Sequence, residues 1–144
     1  MTDPYHPTTE NLSADEAWRL FAGQPTGRIA AIMAGRLELF PVNIAEIDRT
    51  VVIRTSPGTM LSTMVSAPEV VVETDGTEIR ERVPHAWSVV IRGTAEMVSG
   101  IDAEEDLDDH GPQPWQAGVK DDFIRVTPSE VSGRRFPITG DTRD

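Results

Sequence analysis

One stretch limits this chain more than any other: Thr50-Val51-Val52-Ile53-Arg54-Thr55-Ser56-Pro57-Gly58-Thr59-Met60-Leu61. Its first half is a β-branched apolar run, the signature of a buried strand. Ser56-Pro57-Gly58 breaks the strand, and a helical pattern restarts at Thr59. A strand that passes to a helix through small residues leaves several backbone N–H groups without partners. With the positive end of the helix dipole they favour an anion. Arg54 adds a planar two-pronged donor, and Thr55, Ser56 and Thr59 add hydroxyls. The stretch reads as a phosphate seat for a bound cofactor. The plainer reading is a strand, a turn and a helix capped by its own Ser and Thr.

Around this stretch the pattern is mostly β. Residues 1–12 read as a flexible lead-in, 13–137 as one domain and 138–144 as a flexible tail. Ser13 with Glu16 three residues on forms a capping box, and Ala17, Leu20 and Phe21 follow at helical spacing, so a short helix is expected over Ala14–Ala22. Gly27–Met33 is a first strand, Ala34-Gly35-Arg36 a hairpin turn, and Leu37–Ile47 a long second strand containing Pro41. Proline donates nothing to a ladder, so Pro41 belongs at an edge or a bulge, which aims the backbone of Pro41, Val42 and Asn43 at a ligand. Asp48-Arg49 turns into the third strand, Thr50–Thr55. A helix is expected over Thr59–Ser66, a fourth strand over Glu69–Glu73 and a polar loop from Asp75 to Pro84. Trp87–Val98 is a long fifth strand. Ile101–Asp109 is a short acidic helix, Asp121–Thr127 the sixth strand, and Glu130–Phe136 closes the sheet. The fold class is therefore mainly β: a six-stranded antiparallel barrel with short peripheral helices. Strands this long, apolar on both faces, need cover on both sides. One face fills the barrel and the other meets a second subunit, so a homodimer is expected.

Charge narrows the partners. The 144 residues carry 13 Lys plus Arg against 24 Asp plus Glu, a formal −11. A nucleic-acid backbone or an anionic membrane surface requires the opposite balance. Cysteine is absent, which excludes disulfides, thiolate chemistry and cysteine metal sites. His6, His85 and His110 are scattered without metal-motif spacing, and the carboxylates of 102–109 lack a glycine-centred calcium loop. Met1–Glu10 has no apolar run, and no stretch approaches the ~20 residues of a membrane span, so a cytoplasmic protein is expected. Nucleophile-elbow, dinucleotide and Walker motifs do not occur.

Four ordered segments then carry a resemblance: Gly27-Arg28-Ile29-Ala30, Phe40-Pro41-Val42-Asn43, Arg54-Thr55-Ser56-Pro57-Gly58-Thr59-Met60-Leu61 and Trp87-Ser88-Val89-Val90-Ile91-Arg92-Gly93-Thr94-Ala95. The set resembles the pyridoxamine 5′-phosphate oxidase-like split-barrel flavoproteins over residues 13 to 136. The resemblance implies a dimeric split barrel with flavin sites at the subunit interface, holding FMN or a deazaflavin coenzyme. It implies that Arg54, Thr55 and Thr59 hold the phosphate, with Ser56 and Met60 in the same turn. Pro41, Val42 and Asn43 would lie along the ring, and Trp87, with Trp115 as a second candidate, would approach from the partner subunit. Relatives often carry lysine at the Met60 position. Losing such a charge-assisted bond costs about 1.5–3 kcal/mol, and Arg28 is the candidate to make it up.

The implied activity is hydride transfer between flavin and an unidentified small molecule, with no side chain required as acid or base. The basic residues that pyridoxamine phosphate itself would need are not in evidence. Two alternatives stay open: a split-barrel dimer that binds without catalysis, which Met60 favours, and a haem-binding protein with His85 as axial ligand.

Overall fold

A computed structural model of the chain describes residues 8–55, 69–98, 107, 111, 112 and 122–140. The expected helix over Thr59–Ser66 lies outside the described residues, as do Ser56, Thr59, Met60, Trp115, His6, His110 and all of the expected acidic helix except Leu107.

The elements run β1 (Glu10–Asn11), α1 (Ala14–Ala22), β2 (Thr26–Met33), β3 (Arg36–Ile47), β4 (Thr50–Thr55), β5 (Val70–Arg80), β6 (Val83–Met97) and β7 (Asp122–Pro137). Every strand pair is antiparallel, in the order β1-β7-β4-β3-β2-β5-β6, and β6 pairs again with β7. Six strands thus close a ring, as expected. A seventh, the two-residue β1, is added on the flank of β7, within the segment read as a lead-in.

Alternation along the strands fills the interior. Ile29 and Ala31, Val42 and Ile44, Val51 and Ile53, Val70 and Val72, Trp87, Val89 and Ile91, and Ile124 and Val126 all turn inward. Helix α1 lays Ala17, Trp18, Leu20 and Phe21 against them, with Trp18 and Phe21 edge to face at 5.8 Å. Its ends match the sequence pattern. The Ser13 hydroxyl accepts from the Glu16 N–H at 3.2 Å, and the N–H of Gly23 returns to the last turn. β4 is buried on both faces. Its outer Val52 packs with Val98, Leu107 and Phe123 of the same chain, against Ile47. On this stretch the outer face is therefore covered from within.

Two departures from the expected pattern have physical causes. The polar loop over Asp75–Pro84 is instead a hairpin: β5 runs on to Arg80, and β6 begins at Val83 after a turn at Glu81-Arg82. Both turn residues have positive φ, 49° and 68°. A primed turn normally announces itself with Asn or Gly, and neither is present. Second, Asp121–Thr127 and Glu130–Phe136 are one strand, β7, interrupted by a bulge. Gly93 pairs with Pro128 and Arg92 with Glu130, so Ser129 is left over. One extra residue moves the inward set from Ile124 and Val126 to Gly133 and Arg135. A period-2 reading therefore sees two strands. Opposite the bulge the backbones close in: a Cβ on Gly93 would lie 2.2 Å from the carbonyl oxygen of Thr127.

After the bulge, Arg135 faces inward at 2% exposure and gathers three carboxylates from three elements. Its NH1 donates to Glu16 and Glu78, both at 2.9 Å, and its NH2 to Glu10 at 3.0 Å. Arg19 joins through Glu16 and Glu78. The network ties β1, α1 and the β5–β6 hairpin to β7 at one end of the barrel. Among the described residues no helix is long and apolar enough to cross a membrane, and no buried side-chain polar atom lacks a partner.

Arg19 first, then Arg135, hold the Glu16 carboxyl at about 2, well below its ordinary 4.5. The folded protein therefore binds this proton less readily than the unfolded chain. Its contribution is complete above pH 4.5 and disappears as pH falls toward 2. Glu16→Gln should lower stability by about 1–2 kcal/mol at pH 7. In urea unfolding followed from pH 7 to pH 2, the gap to wild type should be flat above pH 5 and close below it. Gly93→Ala should cost about 1–3 kcal/mol from overpacking in the same assay.

Candidate functional site

The site predicted from sequence lies on the outer face of the barrel, where β2, β3, β4 and β7 run side by side. Val51 and Ile53 point into the core, so Arg54 points outward. The ladders place Asn43 opposite Arg54 on one side and Phe123 opposite it on the other, with Thr26 beyond Asn43. Directly opposed residues of antiparallel strands share a face. Thr26, Asn43, Arg54 and Phe123 therefore form one row across four strands, and the next same-face row carries Arg28 and Pro41.

Arg54 is 8% exposed. Its guanidinium carbon lies 5.2 Å from the centroid of the Phe123 ring, a cation–π contact, and its NH1 donates to the carbonyl oxygen of Pro112 at 3.2 Å. Both contacts restrain the fork. Thr55 follows at the end of β4, half-buried, where the undescribed turn begins. The sequence picks out Arg54 and Thr55 because of the turn after them. It does not reveal Phe123 or Pro112, since cross-strand register leaves no local trace.

Asn43 is where the two ladders of β3 meet. Arg36–Asn43 pair with β2 and Asn43–Ile47 with β4. Both registers are regular, so Pro41 occupies an edge without a bulge. Its backbone borders the opening of the ring, with no strand partner on the second side among the described residues. Pro41 is exposed and Asn43 half-buried, while Val42 turns into the core. Val42 therefore offers the strip its backbone only.

Arg28 and Trp87 have partners of their own within this chain. Arg28, the residue expected to make up a missing charge, hydrogen-bonds Glu73 at 2.5 Å and Asp75 beside it. That charge is engaged on β5. Burial, and then the neighbouring Asp75, raise the Glu73 carboxyl above its ordinary range against the pull of Arg28. Trp87 sits in the barrel core at 4% exposure, in register with Gly76 and Arg135. Phe123 and Arg135 are twelve positions apart on β7, roughly 40 Å of strand at ~3.3 Å per residue. Trp87 and Arg54 of one chain are not neighbours. His85 bonds the Val83 carbonyl at 2.9 Å on the β5–β6 hairpin, away from this row. The described residues hold no cluster of three metal-ligating side chains.

The same outer face carries apolar surface. Ile32, Leu37 and Leu39 stand on the β2–β3 hairpin, Leu37 at 76% exposure, next to Pro41. A buried arginine, an open strand edge and an apolar flank thus lie together.

Residues 13–135 match the sequence profile of the pyridoxamine 5′-phosphate oxidase family. The chain belongs to this family. Among solved structures, a candidate pyridoxamine 5′-phosphate oxidase from Corynebacterium glutamicum superposes with a TM-score of 0.75 at 28% identity, over 97% of this chain and 99% of that one. The FAD-binding protein from Mycobacterium smegmatis gives a TM-score of 0.72 at 31% identity, over 88% and 99%. An uncharacterised protein of Mycobacterium tuberculosis H37Rv is 32% identical over 135 residues, 92% of this chain and 87% of its own length. The ring of antiparallel strands in this member of the pyridoxamine 5′-phosphate oxidase family is the expected split-barrel fold.

Proposed function

We propose that this protein binds a flavin, FMN first, along the outer strip of β3 and β4 and acts as an oxidoreductase on a small molecule. The observation that carries the reading is the held guanidinium of Arg54 at the end of β4, in register with Asn43. A planar fork of fixed orientation suits two oxygens of a terminal phosphate, and Thr55 adds a hydroxyl beside it. Pro41, the Val42 backbone and Asn43 continue the strip along the open edge of β3, where a flat ring can lie against the backbone. The residues present therefore fit the group. The FAD-binding relative from Mycobacterium smegmatis supports the class of cofactor, and a deazaflavin coenzyme is the alternative for the same seat.

A bound flavin supplies the hydride chemistry. This chain's own residues have three tasks: Arg54 and Thr55 anchor the phosphate, the Pro41–Asn43 edge orients the ring by backbone contacts, and apolar neighbours keep water away. No side chain of the strip needs to exchange a proton. The domain responsible spans 13–137, and the reading belongs to a cytoplasmic protein. Ile32, Leu37 and Leu39 support a homodimer that encloses the strip, since exposed apolar surface of this kind marks interaction sites. Trp87, deep in its own barrel, serves the partner's cofactor only if that part of the barrel opens.

Two measurements test the proposal. Fluorescence titration of wild type with FMN should give saturable binding, and Arg54→Gln should weaken it about ten- to hundredfold while circular dichroism stays unchanged. Wild type that binds neither FMN nor deazaflavin at about 100 µM, a free energy near −5.5 kcal/mol, contradicts it. Light scattering at micromolar concentration should give a dimer for wild type and a monomer for Leu39→Glu; a wild-type monomer contradicts the enclosed site.

A further inference from the structure

The contacts of Arg54 carry an inference about how this site selects its ligand, one that rests on the reading of Arg54 as the phosphate anchor. We infer that Phe123 and the Gly111-Pro112 backbone are positioning elements that hold the Arg54 fork for a phosphate monoester, and so set the preference for a phosphorylated flavin over an unphosphorylated one.

An arginine on a sheet surface has four rotatable side-chain bonds and usually samples many rotamers. Among the contacts of Arg54, two restrain its guanidinium. The Phe123 ring centroid lies 5.2 Å from the guanidinium carbon, and the attraction between the cation and the negative ring face restrains the group. The Pro112 carbonyl accepts from NH1 at 3.2 Å and adds a directional restraint. Phe123 is itself buried, packed with Val52, Val98 and Leu107 and in register with Arg54. Next to Pro112, the Gly111 N–H donates to the Leu107 carbonyl at 2.8 Å. A Cβ on Gly111 would lie 2.5 Å from that same oxygen. A side chain at position 111 would force the backbone next to Pro112 to shift. Pre-ordering of this kind lowers the side-chain entropy cost of binding. It benefits only ligands that present oxygens where the fork points.

The test compares FMN with riboflavin, which share a ring and differ by the phosphate. Affinities are measured by fluorescence for wild type, Arg54→Gln, Phe123→Leu, Gly111→Ala, and a series with mono-, di- and trifluorinated phenylalanine at position 123. The fluorinated rings keep the shape and burial of Phe123 while draining charge from its face, so folding is preserved even where Phe123→Leu or Gly111→Ala lowers the melting temperature. Wild type should prefer FMN. The ratio of riboflavin to FMN dissociation constants should fall stepwise with fluorination, about three- to tenfold across the series, with riboflavin affinity constant. Gly111→Ala should lower the same ratio with the ring intact. A ratio that falls in Arg54→Gln and stays at the wild-type value across the fluorinated series and Gly111→Ala overturns the positioning roles and leaves the phosphate anchor standing. Equal loss of FMN and riboflavin affinity reduces Phe123 to packing and also overturns them. A wild type without preference for FMN overturns the anchor itself, and this inference with it.

Discussion

A closed ring of antiparallel strands depends here on a single strand that serves two neighbours in different phases. β7 pairs with β4 through Asp122–Val126 and with β6 through Ile124–Pro137, and Ser129 shifts its phase between the two ends. Before the bulge, Ile124 and Val126 complete the apolar interior. After it, Arg135 turns inward and collects Glu10, Glu16 and Glu78. Were the same sequence paired without the bulge, Arg135 would face solvent and Phe136 would turn inward. The bulge thus permits a packed apolar barrel and an ion-paired barrel end in one strand. The close approach at Gly93 accompanies it.

That arrangement also determines what stands beside Arg54. Phe123 precedes the bulge, and its phase puts its ring on the outer face in register with the arginine. A burial that would otherwise penalise an isolated charge instead becomes a restraint, because the ring and the Pro112 carbonyl both favour the cation. The outer face of β4 is then graded. Val52 is covered by Val98, Leu107 and Phe123, Arg54 lies at the margin of that cover, and Pro41 and Asn43 lie along the opening of the ring.

Much of this was legible in the sequence, for reasons that differ by element. The capping box fixed α1 at Ala14–Ala22, and β-branched runs between turn residues gave β2, β3 and β4 within one residue. Arg54 and Thr55 stood out because the residues after them break a strand. The β5–β6 hairpin was hidden because Glu81 and Arg82 adopt positive φ without the usual residue types. β7 read as two strands because its alternation changes phase. The contacts of Arg54, Arg28 and Arg135 depend on which strands become neighbours. Val52 and Arg54 meet Phe123 across some seventy residues of sequence, and no local pattern encodes that. The Arg28 engagement with Glu73 likewise follows from β2 lying against β5.

The most direct measurement is a crystal structure of the protein soaked with FMN. The account requires the phosphate to lie against the Arg54 fork, with Thr55 beside it and the ring along Pro41, Val42 and Asn43. A phosphate bound elsewhere, with the Arg54 guanidinium still closed between Phe123 and Pro112 and touching no ligand, would contradict it.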